Sequence, residues 1–308
     1  MKVLIISGFL GAGKTTFIKE LSKRTKREIA ILENEYAHVG IDGDTLKNEL
    51  DNKEINIWEL TEGCICCSTK KDFASSVLTI ANSVDPEFLV VEPTGVAKLG
   101  NIMENIKQLE YERISILPPI TIVDGHSFDK YLNEYPATFK NQLLNANSII
   151  VSKFEQASSV EKSVLENKIK KVNDSSNIYL DHYSNFDLDW WNSLLRTPSE
   201  EQEIINNTSD QEELPENLSL EDISIKSLGK LIITLESLIR GEYGDIIRSK
   251  GSFCISGVNI QFDVADGKYS VLVDAPAASD NVIFIGKDIK RHKLRKIFFS
   301  KSGRIILS

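Results

Sequence analysis

The stretch Gly8-Phe9-Leu10-Gly11-Ala12-Gly13-Lys14-Thr15 constrains this chain more than any other feature. It follows the apolar run Val3-Leu4-Ile5-Ile6, which suits a buried strand, and leads into Thr16-Phe17-Ile18-Lys19-Glu20-Leu21, whose apolar residues have helical spacing. Strand, glycine-rich turn and helix with the spacing G-x-x-x-x-G-K-[ST] make a phosphate-binding loop, where backbone N–H groups and a helix N-terminus surround the phosphates of a nucleotide. Lys14 then pairs with the outer phosphates and the Thr15 hydroxyl ligates Mg²⁺, while Ala12 and Thr16 complete the cradle. Gly8, Gly11 and Gly13 fit because a Cβ would block the tight turn or the approach of backbone to phosphate.

Further short apolar runs at 28–32, 55–60, 88–92, 120–124 and 148–151 read as strands. Between and after them lie helical segments, among them 68–84, with Phe73, Val77, Ile80 and Ala81 on one face, and 160–172. Strands alternating with helices predict an α/β fold, a mainly parallel sheet covered by helices on both faces. Such sheets bind ligands beyond the carboxyl ends of their strands. The phosphate loop, Glu33-Asn34-Glu35, the cysteines of 64–67 and Glu92 are therefore expected on one rim.

With 308 residues the chain is long enough for two domains. Residues 1–196 read as the nucleotide-binding domain with its cysteine motif. The acidic, Asn- and Ser-rich stretch 197–220 reads as a solvated linker. Residues 221–308 read as a small α+β domain, with a strand at 224–228, a helix at 230–240, a hairpin of alternating segments at 252–262 and 268–273, a further strand at 282–285, and a last helix at 288–299. A net charge of −9, a pI near 5.2 and lysines read as scattered argue against nucleic-acid binding. No run of 18 apolar residues predicts a membrane span, and the first apolar run is too short for a signal peptide, so a cytoplasmic protein is expected.

Three more features carry chemistry. Glu92 closes an apolar strand, where such proteins place an acid near Mg²⁺ and the attacking water, and the turn Pro93-Thr94-Gly95 after it can sense a γ-phosphate. Asp42, in Val39-Gly40-Ile41-Asp42-Gly43, is either an indirect Mg²⁺ ligand or a turn residue. Cys64, Cys66 and Cys67 offer three thiolates within four positions, a soft and incomplete site suited to Zn²⁺ or Co²⁺, for which Glu35 and His38 are candidate fourth ligands.

Taken together, Gly8 to Thr15, Glu33-Asn34-Glu35, Gly63-Cys64-Ile65-Cys66-Cys67 and Val91-Glu92-Pro93-Thr94-Gly95 resemble the CobW family of metal-chaperone GTPases, relatives of UreG and HypB. Tyr243-Gly244-Asp245-Ile246-Ile247-Arg248-Ser249-Lys250-Gly251 and Val282-Ile283-Phe284-Ile285-Gly286 resemble that family's C-terminal domain. The resemblance implies Mg²⁺-dependent GTP hydrolysis coupled to binding and release of Zn²⁺ or Co²⁺ for a client metalloenzyme or its assembly factor, by a monomer or homodimer. The alternative is a regulatory or assembly GTPase or ATPase holding one permanent structural zinc; a small-molecule kinase ranks last. Where the family reads the base with N-K-x-D, this chain has Ser152-Lys153-Phe154-Glu155. Lys153 can lie along the base and Glu155 can accept from the guanine N1 and N2 groups, one methylene further out than Asp, whereas Ser152 reaches less far than Asn. That departure leaves ATP open. Ala37 stands where the family often has Gly, and the acidic linker replaces the histidine-rich stretch of many relatives.

Overall fold

Alternation inside the first apolar run decides the first layer of packing. In β1 (Lys2–Gly8), Leu4 and Ile6 bury toward one face of the sheet, while Val3 and Ile5 bury toward the other. A strand apolar on both faces is buried on both, as in a parallel sheet covered by helices. The computed structural model shows this arrangement. It describes residues 1–33, 56–59, 70–109, 114–197, 204–205, 215–273, 275 and 280–299, for 56–59 and 70–75 the backbone alone. The chain forms two compact units, the second starting at Pro215.

In the first unit the sheet runs β3 (Asn56–Glu59), β2 (Ile29–Glu33), β4 (Phe88–Glu92), β1, β6 (Ile120–Asp124), β7 (Ser148–Ser152), β8 (Asn177–Tyr179), and the short β5 (Ser115–Ile116) also pairs with β1. All of these pairings are parallel. On one face, Phe17, Ile18 and Leu21 of α1 (Lys14–Thr25) and Trp191 of α7 (Leu188–Ser193) pack on Leu4, Ile6 and Ile31. On the other, α2 (Lys70–Ser83) brings Val77 and Ile80, and α3 (Leu99–Lys107) brings Ile102, Met103 and Ile106, against Val3, Ile5 and Val91. Truncating one such side chain to Ala costs about 2–5 kcal/mol. Beneath the phosphate loop, Phe9 packs on Tyr131 of α4 (Phe128–Glu134), with ring centroids 4.2 Å apart, and on Phe139 of α5 (Pro136–Leu144). The loop thus rests on a solid floor. The remaining helix, α6 (Ser159–Lys170), starts at a capping box in which Ser158 and Glu161 bond each other's backbone N–H.

The second unit is an antiparallel sheet in the order β12 (Lys268–Val273), β11 (Val258–Ala265), β10 (Asp245–Ile255), β13 (Asn281–Lys287), β9 (Glu216–Glu221), with α8 (Leu228–Ile239) and α9 (Arg291–Phe298) beside it. Leu231, Leu235, Phe253, Phe262, Phe284, Leu294 and Phe298 form its core.

Several local expectations are corrected. The stretch read as linker ends in strand β9, where Leu218 and Leu220 alternate inward between polar neighbours. Within the same stretch, Ile205 is held on α5: its N–H donates to Asn145 Oδ1 (2.8 Å), and its carbonyl accepts from Asn145 Nδ2 (2.8 Å) and Asn141 Nδ2 (3.2 Å). The strand expected at 224–228 is a single bridge at Ser224, because Ser227 instead caps α8 through the Lys230 N–H. The lysines are less scattered than they read, since Lys290, Arg291, Lys293, Arg295 and Lys296 are all exposed at α9.

Candidate functional site

The loop between β1 and α1 owes its shape to backbone conformations that favour glycine. Gly8, Gly11 and Gly13 have φ of 144°, 76° and 94°. At Gly8 a Cβ would also stand 2.3 Å from the Ile122 carbonyl oxygen of β6. Gly13 caps α1 in the left-handed conformation with no side-chain bond to the first turn, and that turn contains no acidic residue. The first N–H groups of α1 therefore present positive potential with no acid of the helix's own first turn to cap them, as a phosphate site requires.

Lys14 is buried, and its ammonium donates to the carbonyls of Gly8 (3.1 Å) and Phe9 (3.4 Å), 4.0 Å from Glu92 Oε1. Thr15 Oγ1 donates to the Glu92 carboxylate, at 3.1 Å and 3.3 Å from its two oxygens. A hydroxyl on the first turn of α1 and a carboxylate at the end of β4 thus converge: two hard oxygen donors of the kind Mg²⁺ takes. The donor set fits the ion: Thr15 and Glu92 would hold it, and it would supply charge neutralisation for a bound triphosphate. Glu92 stands in register with Glu33 on β2, and Glu33 with Glu59 on β3. Behind Glu92, Gly95 meets the phosphate loop so closely that a Cβ there would lie 2.5 Å from the Leu10 nitrogen. Gln142 of α5 fixes that turn by donating to the carbonyls of Gly95 (3.0 Å) and Ala97 (2.9 Å). Thr94 Oγ1 is buried there with no hydrogen-bond partner among the described residues.

The opposite end of the rim is built from the ends of β6 and β7 and from the segment after β8. The Ser152 hydroxyl donates to the Ala12 carbonyl (2.7 Å), which ties β7 to the phosphate loop and commits the hydroxyl proton there. Lys153 adopts φ 55°, and its ammonium lies 3.0 Å from Asp124 Oδ2. Asp124 is buried, and its other oxygen accepts from the N–H groups of His126 (2.9 Å) and Ser127 (3.2 Å). Gly125 leaves room for the Phe154 ring, which would meet a Cβ at 2.5 Å. Glu155 is 40% exposed, and its Oε1 lies 3.8 Å from His182 Nε2. Burial pushes the neighbouring Tyr183 phenol up, and the charges of Glu20 and Glu155 add to it.

Of the residues singled out in the sequence, Gly8, Gly11, Ala12, Gly13, Lys14, Thr15, Thr16, Glu92 and Gly95 fall at the phosphate end, and Ser152, Lys153 and Glu155 at the other. Glu35, His38, Asp42, Cys64, Cys66 and Cys67 lie outside the described residues. Among the described residues no group of three or more His, Cys, Asp or Glu side chains could hold a metal. Sequence reasoning missed Asp124 and His182. Asp124 carried a usable signal, an acid closing an apolar strand just as Glu92 does; nothing near His182 in the chain marks it.

A parallel sheet whose first strand feeds a glycine-lined anion cradle, with lysine, threonine and a strand-end carboxylate around it, defines a P-loop nucleoside triphosphatase. The chain belongs to the CobW/HypB/UreG family of P-loop GTPases: that family's nucleotide-binding domain matches residues 2–179. The chain is 24% identical to a protein named zinc chaperone YjiA from Escherichia coli K12, over 96% of this chain and 97% of the relative. It is 30% identical to zinc chaperone YeiR from the same organism, over 53% of this chain and 49% of the relative. Among solved structures, zinc-bound YjiA GTPase from E. coli superposes with a TM-score of 0.46 at 21% identity, over 96% and 97% of the two chains.

Proposed function

We propose that this chain uses GTP hydrolysis to drive binding and delivery of a transition metal, Zn²⁺ or Co²⁺, to a client metalloenzyme or its assembly factor. Lys14 neutralises phosphate charge, Thr15 holds Mg²⁺ with Asp42 in support, and Glu92 orients the ion or the attacking water. Lys153 lies along the base and Glu155 accepts from its edge. The metal is carried by Cys64, Cys66 and Cys67, with Glu35 as a further ligand.

The observation that carries this reading is the bond from Thr15 to Glu92. It links the phosphate loop to β4, whose end is in register with Glu33 and, through it, with Glu59. Cys64 follows Glu59 by only five residues, at most ~18 Å of extended chain, so a change at the γ-phosphate is felt within reach of the thiolates. Family membership and the zinc-chaperone names of the relatives support the same assignment.

Coupling requires metal affinity to differ between nucleotide states. Titration of Zn²⁺ and of Co²⁺ into the Mg²⁺-loaded protein, with GDP and with a non-hydrolysable GTP analogue, should give affinities at least about fivefold apart. Cys66→Ala should remove most metal binding and spare nucleotide binding. Equal metal affinity in both states sinks the transport cycle and leaves a GTPase with a permanent zinc site.

A further inference from the structure

Glu155 has a neighbour whose geometry matters for reading a base. β7 and β8 are adjacent parallel strands, so the third residue beyond each, Glu155 and His182, can meet above the sheet. His182 is held on two sides. The Ser184 N–H donates to its Nδ1 (3.2 Å), with the Ser184 hydroxyl 2.6 Å from the same nitrogen, and its ring stacks on Tyr183 at 4.3 Å and 28°. A nitrogen that accepts from a backbone N–H carries no proton of its own, so the neutral imidazole has its proton on Nε2. Nε2 is the nitrogen that lies 3.8 Å from Glu155 Oε1. That separation is an electrostatic contact, longer than a hydrogen bond and short enough to close into one when a ligand draws the carboxylate inward.

Such a restraint matters for a glutamate more than for an aspartate. A carboxylate that reads a base discriminates only when it is held in place, and the extra methylene of Glu155 adds a torsion that must be fixed. Ser152 cannot help, because its hydroxyl proton is committed to Ala12. The Lys153 ammonium is engaged by Asp124, 3.0 Å away. Among the described residues, His182 is the group in position to fix Glu155.

We propose that His182 is a positioning residue for base selection, holding the Glu155 carboxylate toward the N1–H and 2-amino edge of guanine. The preference of this chain for guanosine over inosine triphosphate then rests on a Glu–His pair bridging two loops. The inference rests on the reading of Glu155 as the base-reading acid, and one set of full-length variants separates the two claims.

KM and kcat are measured with Mg²⁺ and GTP, ITP or XTP. Glu155→Gln tests the underlying reading: an amide donor suits the C2 carbonyl of xanthine, so XTP should overtake GTP by about tenfold or more in kcat/KM. An unchanged GTP-to-XTP order means that Glu155 does not read the base, and both claims fall. With that reading standing, His182→Asn keeps an acceptor for the Ser184 N–H but stops short of Glu155. It should raise the KM for GTP about fivefold to tenfold at constant kcat and reduce the GTP-to-ITP ratio in kcat/KM by a smaller factor, about twofold to threefold, because both nucleotides share the N1–H contact and GTP alone loses the 2-amino contact. His182→Gln, whose amide nitrogen takes the place of Nε2, should return the ratio toward wild type. The ratio is taken on one preparation, so it is unaffected by any fraction of the variant that fails to fold. A wild-type GTP-to-ITP ratio in His182→Asn, or a loss that His182→Gln does not repair, overturns the role of His182.

Discussion

The phosphate loop and the Ser152–Glu155 segment, proposed above as the base end of the nucleotide site, stand on one sheet rim, yet different materials hold them. At the phosphate end the shape is set by backbone: three glycines with positive φ, a helix start without a side-chain cap, and carbonyls of Gly8 and Phe9 that receive the Lys14 ammonium. At the base end it is set by side-chain pairs, Asp124 with Lys153 and Glu155 with His182. Backbone amides recognise a phosphate whichever base is attached, since every nucleotide carries the same anion. Selecting a base requires donors and acceptors in a particular order, which only side chains vary. The phosphate end can therefore be built from a fixed motif, whereas the other end depends on which side chains stand there, in this chain Ser152 and Glu155.

That contrast can be broken experimentally, and the largest effect should come from Lys14→Ala. Phosphate release should fall by about 10³-fold or more, with the far-ultraviolet circular dichroism spectrum unchanged; surviving turnover would remove the phosphate end from the site altogether. Glu92→Gln keeps the hydrogen bond from Thr15 and removes the charge, and should reduce kcat about 10²-fold with a smaller change in KM. Gly95→Ala would force a methyl group against Leu10, and should cost about 1–3 kcal/mol, seen as a lower thermal midpoint together with weaker nucleotide binding. Asp124→Asn removes the charge 3.0 Å from the Lys153 ammonium and should raise the KM for GTP about tenfold at nearly constant kcat. If it lowers kcat as Glu92→Gln does, the division of labour between the two ends is wrong.

The smallest effect concerns acid stability beside the base loop. The Ser158 hydroxyl, then its backbone N–H, hold the Glu161 carboxyl below the usual carboxylate range. A carboxyl depressed in the folded state stabilises above its unfolded pKa and loses that contribution as pH falls through the folded value. Ser158→Ala should therefore lower the thermal midpoint at every pH, because the Glu161 N–H loses its cap, and lower it slightly more at pH 7 than well below pH 3, which a pair of melting curves checks.

Much of the first unit was legible in the chain itself because its signals are local. A run such as Phe88-Leu89-Val90-Val91, apolar on both faces and ended by an acid, has few other places to go than a central parallel strand. The second unit was less so. The expected strand at 252–262 is the end of β10, a turn and the start of β11, because β10 extends back to Arg248 along β11 and to Asp245 along β13. The acidic stretch 197–220 looked unstructured because alternation over the few residues of β9 is too short to stand out among so many polar neighbours. Its docking at Ile205 uses backbone atoms and two buried asparagines of α5, and backbone hydrogen bonding leaves no mark in composition.

By itself the sequence determined where a phosphate-loop motif would stand, since it is carried by eight consecutive positions, three of them glycines that take positive φ. Only the tertiary structure decided that Thr15 meets Glu92, that Ser152 turns to Ala12, and that Asp124 and His182 join Lys153 and Glu155. These partners are separated by 77, 140, 29 and 27 residues. No periodicity reaches across such distances, and it is the register of neighbouring parallel strands that brings their ends together.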